Sequence, residues 1–439
     1  EKLIIPNVKA LEMGYNYAKA NLTNQCDIKV RKSNKNKGMI LTNGNDASGL
    51  GCVYAGATVC AWYPITPSTS VAESFIKYCE KLRVDSRTQK NKFAIVQAED
   101  ELAAIGMVIG ANWNGARAFT ATSGPGISLM SEFLGLAYFA EVPTVLFDIQ
   151  RGGPSTGMPT RTQQSDILSC AYASHGDTKH IILIPSNPTE CFEFSVLAFD
   201  LADRLQTPII ILSDLDIGMN DFTTKEFKWE DTHMFDRGKV LTKEDLDSME
   251  KFGRYLDIDG DGIPYRTYPG THSEKGAYFT RGSSHDEYAV YTEDGNINAR
   301  NLTRLLKKHE NAAKLVPKPI IKSVNNSKGV IYFGGSDYSM IEALDELSSD
   351  GIILDSMRIR AFPFGKEVHD FIENHDMIFV VEQNRDAQMK KLILAEANVA
   401  PDKMISVLCF DGMPITAHFI STEISSYLAK KEVKEIMKK

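Results

Sequence analysis

One segment of the sequence combines cationic and hydroxyl side chains with many glycines and prolines. It runs over residues 148–166 (DIQRGGPSTGMPTRTQQSD) and contains Arg151 and Thr160. Arginine is the preferred bidentate partner of a carboxylate, and a threonine hydroxyl can complete such a site. Glycine and proline shape the backbone in ways that a solvated loop rarely needs. The segment therefore predicts a loop that binds a carboxylate.

A second candidate segment is YPITPSTS, which begins at Tyr63. Thr66 stands between two prolines, Pro64 and Pro67, so the backbone around its hydroxyl is restrained. A hydroxyl held in place can bind a carboxylate or a phosphate. Alternatively, Thr66 caps a helix that begins near Ser68. The residues alone leave both interpretations open.

Three consecutive acidic residues, Glu99, Asp100 and Glu101, stand at a predicted strand-to-helix junction in VQAEDELAAIG. Carboxylates are favourable at a helix N-terminus because of the helix dipole, which is a purely structural explanation. Glu101, however, heads an apolar helix face. A carboxylate buried there could share a proton with a cofactor. A further rigid loop, TATSGPG from Thr120, presents Ser123 as its polar residue.

The glycine-rich segment GNDASGLG, from Gly44, also follows a predicted strand and begins a helix. Small residues of this kind allow a ligand or a neighbouring chain to approach the backbone closely. The glycine spacing does not match a dinucleotide-binding fingerprint. A glycine-rich strand-to-helix turn is an equally good interpretation.

The elements that position these loops alternate between strand and helix over residues 38–220. Helices are predicted over residues 101–112 and 189–205. The strand candidates are MILTNG from Met39, KFAIVQA from Lys92, ARAFTATS from Ala116, PTVLFDIQ from Pro143, HIILIP from His180 and PIIILSD from Pro208. Continuous apolar strands between helices indicate an α/β fold with a parallel sheet covered on both faces. Ligands of such sheets bind at the carboxyl ends of the strands, where the loops lie.

The rest of the chain divides into three parts. Residues 1–37 are predicted to form a helix that packs on a neighbour, followed by a polar linker over residues 29–37. Residues 221–327 are rich in Gly, Pro, Asp and Tyr, which predicts an ordered excursion between two domains, with a helix near residues 298–310. Residues 328–439 resume the alternation of strand and helix, which predicts a second, smaller α/β domain.

Composition narrows the function further. The 439 residues carry a net charge of −8 without a basic cluster, which argues against nucleic-acid binding. The apolar runs are too short for a membrane helix, so no membrane association is expected. None of the seven cysteines forms a CxxC pair, so we expect no iron–sulfur cluster or other metal site in this chain. An odd number of cysteines without a disulfide framework is typical of a reducing compartment, so a cytoplasmic location is expected.

Taken together, the motifs resemble those of one enzyme family. YPITP, EDELAAIG, TATSGPG, QRGGPSTGMPT with the Gln164 and Asp166 that follow it, and VVEQN from Val380 occur in the order found in the alpha subunit of 2-oxoacid:ferredoxin oxidoreductases. The resemblance covers roughly residues 38–439. It implies a thiamine-pyrophosphate pyrimidine-binding domain followed by a transketolase C-terminal-like domain. The helix before residue 37 resembles the end of a fused gamma domain, so we expect a longer parent polypeptide.

The resemblance also implies residue roles. Glu101 aligns with the glutamate that hydrogen-bonds the aminopyrimidine ring and promotes deprotonation of the thiazolium carbon, with Glu99 as the close alternative. Thr66, Arg151 and Thr160 align with the residues that bind the 2-oxoacid. The remaining cofactor-lining positions are Tyr63, Pro64, Ser123 and Gly124.

The implied reaction converts a 2-oxoacid, coenzyme A and oxidised ferredoxin to acyl-CoA, carbon dioxide and reduced ferredoxin. Thiamine pyrophosphate is shared with a beta subunit, which is expected to carry the Mg²⁺ site and the iron–sulfur cluster. The gamma segment favours 2-oxoglutarate as the substrate. Pyruvate, a branched-chain or an aryl 2-oxoacid remain alternatives, as does a non-catalytic scaffold subunit that keeps only the fold.

One acidic segment imitates cation-binding motifs. Gly260, Asp261 and Gly262 match the start of the magnesium motif of thiamine-diphosphate enzymes, but no core strand precedes them. Asp257 and the acidic residues after it imitate a calcium loop, yet Tyr268 stands where the bidentate glutamate is needed. We interpret this segment as an acidic turn of the excursion, with cation binding as the alternative.

Overall fold

The computed structural model describes residues 2–23, 26, 28–397 and 399–436. It divides the chain into two units, residues 1–39 and 40–439. The first unit contains helix α1 (Ile4–Asn21), which confirms the helix expected there. No residue of α1 is buried, and residues 28–34 form no helix or strand. The last residues of the predicted second α/β domain, from 437 onward, lie outside the described residues.

Fourteen strands are described within the same ranges. They are β1 (Met39–Thr42), β2 (Val59–Trp62), β3 (Ala94–Gln97), β4 (Ala118–Thr122), β5 (Thr144–Gln150), β6 (Ile181–Leu183), β7 (Pro208–Asp214), β8 (Phe222–Lys225), β9 (Ile320–Lys322), β10 (Lys328–Phe333), β11 (Asp355–Ile359), β12 (Ala361–Phe362), β13 (Met377–Glu382) and β14 (Met404–Leu408). The helices after α1 are α2 (Gly44–Tyr54), α3 (Thr69–Leu82), α4 (Glu101–Trp113), α5 (Gly124–Phe139), α6 (Ile167–Ala171), α7 (Pro188–Leu205), α8 (Leu215–Met219), α9 (Lys243–Ser248), α10 (Gly295–Ala312), α11 (Asp337–Ser349), α12 (Lys366–Glu373), α13 (Gln388–Ala397) and α14 (Ala417–Ile436).

The larger sheet has seven strands in the order β12-β6-β7-β5-β4-β2-β3. All its pairings are parallel except that of β12, which runs antiparallel to β6 at the edge. Every residue of β5 and β7 is buried, because helices cover both faces of the sheet. The predicted α/β fold with a covered parallel sheet is confirmed.

Two strands differ from the sequence expectation. β1 lies outside the main sheet and pairs with β8 in a separate two-stranded sheet. Its alternating exposed and half-buried residues suit an edge position rather than a covered core. β2, a four-residue strand that the sequence pattern did not indicate, pairs with both β3 and β4 inside the main sheet. This short segment forms a strand because β3 and β4, on either side of it, supply the pairing and packing contacts.

The smaller sheet has five strands in the order β14-β13-β10-β11-β9, with only β9 antiparallel. One hydrophobic cluster runs from Ile105 of α4 through both sheets to Met404 of β14. The second α/β region is therefore packed directly against the first. The domain boundaries at residues 220 and 327 stay predictions.

The excursion over residues 221–327 is ordered by ion pairs. Helix α10 covers the helix predicted near residues 298–310. In the acidic turn, the Lys239 ammonium lies 2.6 Å from a carboxylate oxygen of Asp259 and 2.8 Å from one of Asp261. The lysine thus neutralises the negative charge of these carboxylates, which supports the interpretation of this segment as an acidic turn.

A buried ion pair joins α10 to Glu141, the second residue after α5. Glu141 is fully buried, and its Oε2 accepts hydrogen bonds from Arg304 at 3.0 Å and from Lys308 at 2.7 Å. Burial alone would raise the pKa of Glu141, but the two cations outweigh this effect and lower it to about 2. The stabilisation is present above the unfolded-state value near 4.5 and is lost as the pH falls towards 2.

We expect the substitution Glu141→Ala to lower the free energy of unfolding by about 3–5 kcal/mol, because it leaves buried cations without a partner. Denaturant unfolding at pH 7 measures this loss. The matched control is Glu132→Ala, since Glu132 is exposed and pairs only with the exposed His175. Equal effects of the two substitutions would contradict a structural role for the buried pair.

Candidate active site

A cavity of about 590 Å³ opens where strands of both sheets end. One wall follows β4 and consists of residues 124–128, and a second follows β5 within residues 151–169. The third wall comes from residues 384–388, which follow β13, together with Phe410. The cavity therefore lies at the carboxyl ends of parallel strands, where the sequence predicts ligand binding.

Arg151 is the buried cation of this cavity. It is 6% exposed, and its Nη1 donates a hydrogen bond to the backbone carbonyl oxygen of Thr66 at 2.6 Å. Its Nε is buried and finds no acceptor. Burial lowers the pKa of the guanidinium, and the negative charge of Asp166 opposes this shift. Arg151 therefore presents a charged group with unused donors, as a carboxylate ligand would require.

The hydrogen bond between Arg151 and Thr66 places the YPITP segment next to the cavity wall that contains Arg151. Thr66 is exposed, and helix α3 begins only at Thr69 with Ser68 at its N-cap. Thr66 therefore does not cap this helix, which was the alternative explanation for it. Tyr63 and Pro64 are exposed beside it at the end of β2, where a cofactor or another subunit can contact them.

Thr160 lies in the same loop as Arg151 but is exposed and does not line the cavity. Its backbone carbonyl accepts a hydrogen bond from the neighbouring Arg161 at 3.2 Å. The structure thus brings Arg151 and Thr66 together and leaves Thr160 apart from them. Its role in binding a 2-oxoacid stays a prediction.

Ser123 and Gly124 form the junction between β4 and α5. Ser123 is fully buried, and its hydroxyl has no hydrogen-bond partner in the structure. Gly124 lines the cavity, and a Cβ atom at this position would approach Oδ2 of Asp166 to 2.7 Å. The glycine is therefore needed for the close approach of the Asp166 loop to the start of α5.

Glu101 is the first residue of α4 and is only 6% exposed, whereas Glu99 is exposed. Asp100 is the N-cap and accepts a hydrogen bond from the backbone N–H of Ala103 at 2.6 Å. Glu101 therefore does not cap the helix, and no described residue donates a hydrogen bond to its carboxylate. It lies near α5, because a Cβ atom on Gly126 would be 3.0 Å from its Cγ. Glu101 does not line the Arg151 cavity.

Comparison with known proteins identifies the family. The profile described as "Pyruvate flavodoxin/ferredoxin oxidoreductase, thiamine diP-bdg" matches residues 50–264. The alpha subunit of 2-oxoacid:ferredoxin oxidoreductase 2 from Aeropyrum pernix is 31% identical over 449 aligned residues, which cover 100% of this chain and 68% of that protein. This chain belongs to the alpha subunits of the 2-oxoacid:ferredoxin oxidoreductase family.

Two further comparisons agree. The 2-oxoglutarate synthase subunit KorA from Methanothermobacter marburgensis is 34% identical and covers 78% of this chain and 87% of that protein. A solved 2-oxoglutarate:ferredoxin oxidoreductase from Magnetococcus marinus, with 2-oxoglutarate, coenzyme A and succinyl-CoA bound, has 30% identity and a TM-score of 0.86. It covers 97% of this chain and 71% of that one. The chain spans 62–68% of the length of four curated alpha-subunit relatives.

These comparisons confirm the family and fold expected from the motifs, since the matched family profile describes a thiamine diphosphate-binding domain of an oxidoreductase. The residues of this alpha subunit fit that cofactor at one point: Glu101 offers a buried carboxylate whose oxygens accept no hydrogen bond from the described chain.

In the part of the chain that the structure describes, no group of three or more metal-ligating side chains could hold a metal ion. No described helix is long and apolar enough to cross a membrane.

The VVEQN motif of the alpha subunit holds the Arg151 loop in place. The backbone N–H of Gln164 donates to the carbonyl oxygen of Gln383 at 2.8 Å, and the Asn384 amide donates to the carbonyl oxygen of Gln164 at 3.0 Å. Gln388 then donates to the carbonyl oxygen of Ser165 at 2.5 Å. The two sheets are thereby joined across the cavity by hydrogen bonds to one loop.

Sequence reasoning missed the carboxylate Asp148. It is fully buried in β5, and one of its oxygens has no hydrogen-bond partner. Burial and the neighbouring Asp166 raise the pKa of Asp148 well above its usual value. The signal was present as a single aspartate inside the otherwise apolar run VLFDI. Burying a carboxylate in a covered strand lowers the stability of the fold unless the carboxylate is paired or hydrogen-bonded.

Proposed function

We propose that this alpha subunit, together with its partner subunits, catalyses oxidative decarboxylation of a 2-oxoacid with coenzyme A. The products are acyl-CoA and carbon dioxide, and the electrons pass to ferredoxin. The observation that carries the proposal is the buried Arg151 guanidinium, which keeps unused donors beside Thr66 in a cavity at the carboxyl ends of the strands. Burying a charge without full compensation is costly, so a bound anion is the natural partner.

The two binding residues have distinct tasks in this proposal. Arg151 pairs with the carboxylate that leaves as carbon dioxide, and Thr66 fixes the orientation of Arg151 through its backbone carbonyl. The guanidinium must orient the substrate carboxylate without stabilising the ground state too strongly. Thr160 is proposed to complete the binding site when the exposed loop over residues 153–161 contacts the substrate.

Thiamine diphosphate, when bound, supplies the carbon nucleophile for attack on the keto carbon and accepts the electron pair that decarboxylation releases. We propose that Glu101 hydrogen-bonds the aminopyrimidine ring nitrogen and moves a proton there. Its burial and its lack of an internal partner support this role over the exposed Glu99. Tyr63, Pro64, Ser123 and Gly124 are proposed to line the cofactor.

The partner subunits supply the rest of the reaction. We assign the Mg²⁺ site and the iron–sulfur cluster to a beta subunit, because the sequence has no closely spaced cysteine pair. The gamma domain, coenzyme A and ferredoxin complete the assembly. The best-supported substrate is 2-oxoglutarate, since a relative is named 2-oxoglutarate synthase and a solved neighbour holds 2-oxoglutarate and succinyl-CoA.

A panel of 2-oxoacids tests this proposal. We expect the purified complex to form acyl-CoA from 2-oxoglutarate with a kcat/KM about tenfold or more above that for pyruvate, branched-chain and aryl 2-oxoacids. Acyl-CoA is measured by mass spectrometry and ferredoxin reduction by absorbance. A higher value for another 2-oxoacid would replace the substrate and keep the reaction. An assembled, cofactor-loaded complex that turned over none of them would favour the scaffold alternative.

A further inference from the structure

Two neighbouring carboxylates, one of which lines the Arg151 cavity, are not used by the proposed chemistry. Asp148 is fully buried in β5, with Oδ1 lacking a hydrogen-bond partner and Oδ2 lying 3.4 Å from the Cys170 thiol. Asp166 lines the cavity, and its Oδ2 is likewise buried without a partner. The Asp148 and Asp166 carboxylates interact with each other, and Arg151 interacts with Asp166, so the two carboxylates cannot both hold a full negative charge at little cost.

The loop fixes Asp166 at this place. Its backbone N–H donates to the Gln150 side chain at 3.0 Å, and its carboxylate abuts Gly124 at the start of α5. Its side chain makes no capping hydrogen bond to α6, so helix capping does not explain the aspartate. No ion pair within 4 Å joins Asp166 to Arg151, yet the two charges interact. Asp166 is therefore free to exchange a proton without unfolding its surroundings.

We propose that Asp166 is a positioning residue that couples substrate binding to proton uptake: ionised, it competes with the 2-oxoacid carboxylate for the charge of Arg151, and protonated, it releases that charge to the substrate. This inference rests on the proposed function, because it requires a 2-oxoacid carboxylate at Arg151. It goes further by making the affinity for that carboxylate depend on a proton held by the protein.

The titration falls in an accessible range. Burial raises the pKa of Asp166 to about 6, while Arg151 opposes the shift. Burial and the Asp166 charge both raise the pKa of Asp148 well above its usual value. A substrate anion near Asp166 favours its neutral form, so binding takes up a proton and strengthens as the pH falls through 6.

The other titratable groups around Asp166 do not change their charge in the pH range in which Asp166 titrates. Cys170 on α6 stays a neutral thiol, because burial raises its pKa well above the usual value. Among the described cavity-lining residues, α5 contributes only uncharged side chains. Across the cavity, Arg385 and Asp386 pair with each other at 2.8 Å, and Arg385 lowers the pKa of Asp386. Asp386 therefore remains ionised throughout the range in which Asp166 titrates.

The test compares KM for 2-oxoglutarate between about pH 5.5 and 7.5 in the complex carrying Asp166→Asn and in the parent complex. Asparagine imitates the protonated aspartate. At the upper pH we expect the variant to have a KM about fivefold lower than the parent. At the lower pH the two values should converge, because the parent is then protonated as well. The expected change is thus in the pH profile of KM rather than in stability.

Two control variants make the result specific. Asp386→Asn removes an equal charge from the cavity and should keep the pH profile of the parent. Asp148→Asn keeps the size of the buried side chain and leaves Asp166 in place, so it should retain a pH transition in KM. It also covers the case in which Asp166→Asn fails to fold. Loss of the transition in Asp148→Asn alone, or an unchanged profile in Asp166→Asn, would overturn the inference. A parent complex that bound no 2-oxoacid at any pH would instead contradict the proposed function itself.

Discussion

Replacing Glu101 with glutamine is expected to slow exchange of the thiazolium C2 proton of bound thiamine diphosphate about a thousandfold. Glutamine keeps the size of the side chain and can still hydrogen-bond, but it cannot take up or release a proton. Glu101 is buried at the start of α4 and has no internal hydrogen-bond partner, so its carboxyl group is available to a ligand. Quenched-flow deuterium exchange followed by NMR measures the rate in the assembled complex.

Glu99→Gln is the matched control, because Glu99 lies two residues away and is exposed. We expect it to leave the exchange rate within about twofold of the parent, as for a surface carboxylate that contacts no reacting group. Slow exchange in Glu99→Gln, combined with normal exchange in Glu101→Gln, would move the role from Glu101 to Glu99. Cofactor binding is measured separately, so that a loss of occupancy is not mistaken for slow exchange.

Replacing Arg151 with alanine should raise the KM for the 2-oxoacid about 10- to 100-fold, while thiamine diphosphate still binds. Hydrogen bonds to charged groups contribute about 1.5–3 kcal/mol, which corresponds to this range. The arginine is buried in the cavity wall with unused donors, so no neighbouring cation replaces it easily. Steady-state kinetics measure KM, and calorimetry measures cofactor affinity in the same preparation.

The control for Arg151→Ala is Arg161→Ala in the same loop. Arg161 is exposed and does not line the cavity, so its removal lowers the charge of the loop by the same amount without touching the proposed site. We expect its KM to stay within about twofold of the parent. A similar rise in both variants would indicate a general electrostatic effect of the loop and would argue against direct pairing of Arg151 with the substrate carboxylate.

Much of the fold follows from local patterns. The strand candidates in the sequence include β3, β4, β5, β6 and β7 of the larger sheet, and β5 and β7 are buried over their whole length. β2 was not among the strand candidates, and the structure adds it to the larger sheet as a four-residue strand between β3 and β4. β1 was expected in the main sheet, but its alternating exposure places it in a two-stranded sheet instead.

The candidate site was predictable in part. The type and order of Thr66, Arg151 and Glu101 were visible in the sequence, and the structure places Arg151 beside Thr66. The sequence did not reveal that Thr160 stays exposed, or that Asp148 lies buried beneath the cavity. Whether a loop residue faces the cavity depends on the direction of its side chain, and this direction is set by contacts between residues that are far apart in the sequence.

Local patterns of hydrophobicity and turn-forming residues in the sequence predicted the α/β alternation and the residue types available at each strand end. The family was indicated separately, by the resemblance of the motifs. The tertiary structure, in contrast, shows that Glu101 rather than Glu99 is buried, and that Asp166 interacts with Arg151. These depend on long-range packing: α5 lies near Glu101, and the residues after β13 hold the Arg151 loop from the other sheet. Desolvation and charge coupling arise only once such distant segments meet.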